Sequence, residues 1–268
     1  MRTLIAALLF FIVFLFVQPD ATDWRLIFYK VGTANPYDTH AFINPPWVAL
    51  LVRPLSLFPD RISLALNLAI TCAVFLALVE QRGGKPAHAV LLLTSAPFLS
   101  LLQNGNVEWI PAVGFLAGGV PGSFLLLAKP QSGFLACVYW LKRSRDKLAF
   151  INNAFALALL SLIAWPRWPA LLLENIHEIP DTEAGIGIVG ISPWPYGIAA
   201  ALALIVVALK AGRHEEIYLV MASLLISPYF LGHSLTILVA IALPAVRLRV
   251  GLLAWVILWA IPVVNLLG

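Results

Sequence analysis

Apolar residues fill most of this chain in long blocks separated by short polar punctuation. The hydrophobic runs sit at about 4–17, 46–58, 62–79, 87–102, 109–128, 130–141, 148–165, 194–210, 216–231, 233–246 and 250–267. A helix that crosses a bilayer takes about 20 residues, within a range of roughly 17–25. Several runs are shorter than that. The segment 46–58 begins at Pro45-Pro46 and contains Arg53-Pro54, a pattern that predicts partial entry into a membrane. The region 109–141 holds Pro111, Pro121, Pro130 and several glycines, which predicts short or broken helices. Non-helical backbone at membrane depth is tolerated only where protein or a water-filled cavity covers it. The pattern therefore predicts an all-α, polytopic membrane protein of about 8–10 spans plus short re-entrant or interfacial helices. The whole chain, 1–268, reads as one transmembrane domain with no internal repeat.

Composition agrees with this reading. The chain is 61% hydrophobic and 11% charged, with a mean hydropathy of +0.93, where soluble domains carry about 25% charged residues. Nine Trp and nineteen Pro suit membrane helices with interfacial anchors and interrupted segments. The net charge of +4 comes from loop clusters rather than a basic stripe with stacking aromatics, which argues against nucleic acid as a partner. The two cysteines, Cys72 and Cys137, lie inside apolar runs and imply neither a disulfide nor a metal framework. The first run could pass for a signal peptide, but Val17-Gln18-Pro19-Asp20 offers no small-residue cleavage site, so it is read as a retained span.

Charge sets the expected orientation. Arg2, Arg82, Lys85, Lys142, Arg143, Arg145, Lys147, Lys210, Arg213, Arg247 and Arg249 account for 11 of the 17 Lys and Arg. They alternate correctly along the chain if the N-terminus is cytoplasmic. The opposite side then carries 18–45, 103–108, 167–193 and the turn near Gly232. With these segments go Asp20, Asp23, Asp38, Glu108, Glu174, Glu178, Asp181 and Glu183. The two longest loops, 18–45 and 167–193, fall on this acidic outer face, and long loops are where binding and catalysis concentrate.

The stretch Asp23–Trp47 follows the first run at once. Thr22 is a candidate N-cap, and Trp24, Ile27, Phe28 and Val31 follow at helical spacing, an apolar face expected to lie in the membrane interface. Asp23 then sits in the first turn, where the helix dipole favours a carboxylate. It is either a capping acid beside Asp20 or a general base facing water at the lipid surface. Lys129 interrupts an apolar stretch before Pro130; it either meets an anionic lipid group or snorkels to the interface. Arg53 offers a guanidinium fork suited to phosphate, or a plain interfacial anchor. Glu174, His177, Glu178 and Asp181 have the spacing of metal ligands, but Pro180 and the apolar side of that segment favour a solvated helix face. His233 follows a run at its outer end and suits a structural role as well as a functional one. The signatures of P-loop, dinucleotide, serine-hydrolase and zinc-protease sites are absent.

Three patches resemble the GT-C superfamily of membrane glycosyltransferases, and within it the bacterial polyprenol-phosphate-mannose-dependent mannosyltransferases. Asp23-Trp24-Arg25-Leu26-Ile27-Phe28-Tyr29, Asn35-Pro36-Tyr37, Phe42-Ile43-Asn44-Pro45-Pro46 and Arg53-Pro54-Leu55 are similar to the family's first outer loop. Gly105-Asn106 and Leu127-Ala128-Lys129-Pro130-Gln131 resemble its outer turn and apolar hairpin with lysine. Ile226-Ser227-Pro228-Tyr229 to His233 resembles its Ser-Pro segment ending in His. The turn that usually reads Gly-Gln-x-Asn reads Gly105-Asn106-Val107-Glu108 here. The resemblance implies Asp23 as the catalytic acid–base residue, with Lys129, Arg53, His233, Asn106 and Tyr37 contacting substrate. It implies transfer of mannose or another hexose from a polyprenyl-phosphate donor to an extracytoplasmic acceptor, with inversion, in a bacterial plasma membrane. No cofactor is implied, and a divalent metal stays open. Membrane lipids and the lipid-linked donor are the expected partners, with protein partners in the membrane also open. Two other readings remain: a non-catalytic subunit of a larger membrane complex, and a transporter of a lipid-linked sugar.

Overall fold

The computed structural model describes residues 2–32, 35–39, 42–177, 192–228 and 231–267. Their regular structure is helical, with no strand among them. In chain order the helices are α1 (Arg2–Phe16), α2 (Tyr29–Val31), α3 (Pro46–Ser56), α4 (Asp60–Gln81), α5 (Pro86–Leu93), α6 (Ala96–Asn104), α7 (Trp109–Ala117), α8 (Gly119–Leu126), α9 (Pro130–Arg143), α10 (Lys147–Ala164), α11 (Trp168–His177), α12 (Gly197–Ala208), α13 (Glu215–Ile226), α14 (Leu235–Ala242) and α15 (Leu248–Leu267). A π-helical turn, Trp24–Phe28, leads directly into α2.

Two helices, α4 and α10, are long and apolar enough to cross a membrane. A third candidate forms if α5 and α6, bent by 57° at Thr94-Ser95, count as one span. Length and composition thus establish two or three candidate spans among the described residues, fewer than the eight to ten expected. The reason is local: proline and glycine cut the apolar runs. Pro86 and Pro130 open helices at their first position, where the missing N–H costs nothing. Gly105 ends α6 in the left-handed conformation, φ 66°. Between α7 and α8, Gly114 lies against the backbone of Gly122, and a Cβ there would come within 2.7 Å of the Gly122 carbonyl oxygen. A broken hairpin of two short helices results where one longer helix would otherwise run.

The long α4 is the axis of the bundle. It packs against α1, α3, α7 and α14, while α13 packs between α9 and α12. Two apolar cores form. One gathers Phe75, Phe98, Phe115, Trp140 and Ile241; the other gathers Trp24, Phe28, Phe42, Val52, Leu64 and Ile110. The second core corrects one expectation. Trp24, Phe28 and Val31 are buried in protein, not laid on a membrane surface. The face is the expected one, but α3 and α4 cover it.

The segments assigned by charge to one side meet at one end of this bundle. Ala21 N–H donates to the Gln103 carbonyl at 2.9 Å, and Asn175 Nδ2 donates to the Phe42 carbonyl at 3.0 Å. At the other end Arg82 pairs with Glu216, and Arg143 pairs with Glu215 at 3.4 Å. Outward-facing apolar side chains are abundant between the ends, on α1, α10, α12 and α15.

Candidate functional site

A largely buried chain of polar side chains joins the loop after α1 to the interior of the bundle. Asn106 Nδ2 donates to Asp23 Oδ2 at 2.6 Å. Its Oδ1 accepts from Val107 N–H at 2.7 Å and from the Lys129 ammonium. Lys129 Nζ also donates to Glu108 Oε1 at 2.9 Å. That same oxygen accepts from Ser234 Oγ at 3.2 Å and lies 3.9 Å from His233 Nε2. Five of the six residues are buried; Asp23, at the outer end, is half-buried.

Local sequence explains how each group is held. Gly105 stops α6 and turns the chain back, and its carbonyl accepts from Asn67 Nδ2 at 2.9 Å. Asn67 Oδ1 in turn accepts from Trp109 Nε1 at 2.9 Å, so Gly105–Trp109 is tied to α4. A Cβ at Gly105 would lie 2.8 Å from the Trp24 Cβ and 3.0 Å from the Ala21 Cβ. The absent side chain is what lets the Asp23 turn press against Asn106. Pro130 keeps Lys129 out of the helix, at φ −137° and ψ 83°, so its side chain leaves the α9 axis.

The electrostatics are asymmetric. With Glu108 completely buried and Lys129 only 4% exposed, the two form an ion pair in a low-dielectric setting. Such pairs are costly to desolvate and more costly to break. Glu108 Oε2 is buried and accepts no hydrogen bond among the described residues. The bonds to Val107 N–H and Lys129 fix the Asn106 amide with its NH2 group toward Asp23.

The structure gathers four of the six site residues expected from sequence: Asp23, Asn106, Lys129 and His233. Arg53 stands apart, exposed on α3. Tyr37 is also outside the cluster. Its hydroxyl donates to the Asn44 carbonyl at 3.0 Å, its ring packs edge-on against Phe42, and burial raises its pKa above the usual phenol value. It braces the loop as a neutral donor. Asp20 is exposed and outside the cluster. Thr22 makes no cap; its hydroxyl approaches Asn104 Oδ1 at 3.5 Å, and Asp23 likewise makes no side-chain cap bond. Glu174 is exposed on α11, while Glu178, Asp181 and Tyr229 lie outside the described residues. No group of three metal-binding side chains occurs among the described residues.

Two residues of the cluster, Glu108 and Ser234, were not among the site residues expected from sequence. Glu108 did carry a signal, being an acid between Val107 and Trp109-Ile110 in an otherwise apolar stretch. Two cavities lie elsewhere. One, of about 400 Å³, is wholly apolar and runs between α1 and α4, lined by residues such as Leu8, Phe11 and Ile70. The other, of about 230 Å³, lies at the opposite end beside Arg82, His214 and Glu216. Neither is lined by a residue of the cluster. Compared with known protein families, curated proteins and solved structures, the chain matches none.

Proposed function

We propose that this chain is a polytopic membrane glycosyltransferase acting at the outer surface of the membrane, with Asp23 as its general base. The observation that carries the reading is the hydrogen bond from Asn106 to Asp23. It joins two of the three patches that resemble the GT-C family and leaves a half-buried carboxylate at the loop-rich end. In the proposed reaction Asp23 takes the proton of an acceptor hydroxyl. The hydroxyl oxygen bonds to the anomeric carbon of a polyprenyl-phosphate sugar as the bond from that carbon to the phosphate oxygen breaks. Attack opposite the leaving group inverts the centre. The released phosphate is a weak base and needs no proton from the protein.

Lys129 acts here mainly as a positioning residue. Two of its three N–H donors are taken by Asn106 and Glu108, so it orients the amide that orients Asp23. The third donor would suit a phosphate oxygen. A second reading, a non-catalytic membrane subunit, is favoured by the outward-facing apolar side chains on α1, α10, α12 and α15, which offer surface for packing against a larger assembly.

The two readings separate on one experiment. Purified protein is supplied with a polyprenyl-phosphate hexose and a hydroxyl acceptor, and released polyprenyl phosphate is measured. Transfer that falls about 10²–10⁴-fold in Asp23→Asn supports the enzyme. Turnover unchanged by Asp23→Asn removes the residue from the mechanism. Unaltered glycan and lipid profiles, by mass spectrometry, in cells lacking the chain would favour the subunit.

A further inference from the structure

The helix α10 (Lys147–Ala164) is one of the two candidate spans, yet only 11% of its apolar window is buried. Its packed side is narrow. Phe150 and Ser161 are buried, Ala154 and Leu157 are half-buried, and the four recur at intervals of four and three residues. That spacing describes one stripe of a 3.6-residue helix. The remaining surface is open, including Ile151, Phe155, Leu159, Leu160 and Ile163.

Lipid alone accounts for an apolar face but not for what this one contains. Asn152 and Asn153 are both exposed, and neither side chain makes a hydrogen bond among the described residues. Eighteen residues span about 27 Å at 1.5 Å each, slightly less than the roughly 30 Å of hydrocarbon in a bilayer. Both amides therefore stand about 7–9 Å inside the helix. An amide facing acyl chains has no water to satisfy it, and the cost is met by bonding to another helix.

The sequence around the two asparagines suits a copy of itself. Ala149, Ala156 and Ile163 are spaced by seven and form one line, flanked by Asn152 and Leu159 on one side and by Asn153 and Leu160 on the other. The alanines let two backbones approach. An Asn amide both donates and accepts, so Asn152 of one copy and Asn153 of the other, which a two-fold axis along the seam brings together, satisfy each other.

We propose that α10 is the dimer seam of this protein. Two copies lie side by side in the membrane with parallel α10 helices, joined along Ala149, Ala156 and Ile163 and bonded through Asn152 and Asn153. The inference is independent of the glycosyltransferase reaction. It rests on the membrane reading of α10.

Both native cysteines are buried, so one introduced thiol reports the seam in the full-length chain. Ala156→Cys in native-like vesicles should oxidise to a product of twice the 29.2 kDa chain mass. Phe155→Cys, on the same turn but off the seam, should not. Adding Asn152→Leu and Asn153→Leu to Ala156→Cys should weaken the dimer about 3–30-fold. Leucine on a lipid-facing surface leaves the fold undisturbed. No cross-link at Ala156→Cys, equal cross-linking at both sites, a product of another mass, or indifference to the asparagine changes would overturn the proposal. Phe155→Cys also tests the membrane reading on its own. Reaction with an impermeant maleimide in intact vesicles would show α10 in water, whereas protection without a dimer would refute the seam alone.

Discussion

The two ends of the bundle use the same chemistry in opposite ways. At the loop-rich end, Glu108 is fully buried and Lys129 nearly so, and Lys129 also bonds the Asn106 amide that in turn bonds Asp23. At the basic end, Arg143 pairs with Glu215 while its own side chain is 65% exposed and stacks over Tyr139 at 4.6 Å. Glu215 is buried, but a pair whose cation stands in solvent is partly screened and costs the entropy of a long side chain, so its contribution is small, about 1 kcal/mol or less. A buried pair is a poor source of net stability but strongly penalises the loss of one partner. The difference separates an ion pair that decorates a surface from one that fixes geometry. Retaining ions in an apolar interior marks the first end as the functional candidate.

Breaking the buried pair should have the largest effect. Lys129→Met strands Glu108 and is expected to cost about 3–5 kcal/mol, read by thermal unfolding in detergent. Combining it with Glu108→Leu should recover much of that loss, because no uncompensated charge remains. A double variant no more stable than the single one would contradict the pairing.

Gly105→Ala should come next, at about 1–3 kcal/mol. The new Cβ meets Trp24 and Ala21, and the positive φ disfavours an L side chain. Activity should fall further than stability, since the Asp23 turn is displaced. A variant with wild-type melting would show that the approach of the two loops is not tight.

Smaller still is Asp23→Asn, expected to change stability by less than about 1 kcal/mol, in line with an acid near a helix start. The amide oxygen still accepts from Asn106. Its melting measured beside its activity sharpens the contrast with Lys129, where stability and function should fall together.

Arg143→Ala at the basic end should be the mildest, below about 1 kcal/mol and further reduced by salt. A cost comparable to Lys129→Met would erase the distinction between the ends.

Sequence by itself determined the helical class and many of the element boundaries. Pro86, Pro130 and Gly105 act through their own backbone chemistry, which is local and therefore readable. It also grouped Asp23, Asn106 and His233 at one end, because the basic loops alternate along the chain, whereas for Lys129 it leaves two placements open. Only tertiary structure decided what those residues touch. Asp23 and Asn106 are 83 residues apart, and Glu108 and Ser234 are 126 apart, separations that no periodicity encodes. The same holds for the face of Trp24, Phe28 and Val31: its spacing is local, but whether lipid or protein covers it depends on where α3 and α4 pack. Arg53 and Tyr37 belong to the same family-like patch as Asp23 yet stay out of the cluster, one exposed on α3 and the other bonded to the Asn44 carbonyl. Periodicity marks which residues share a face, and long-range packing selects the neighbour that the face receives.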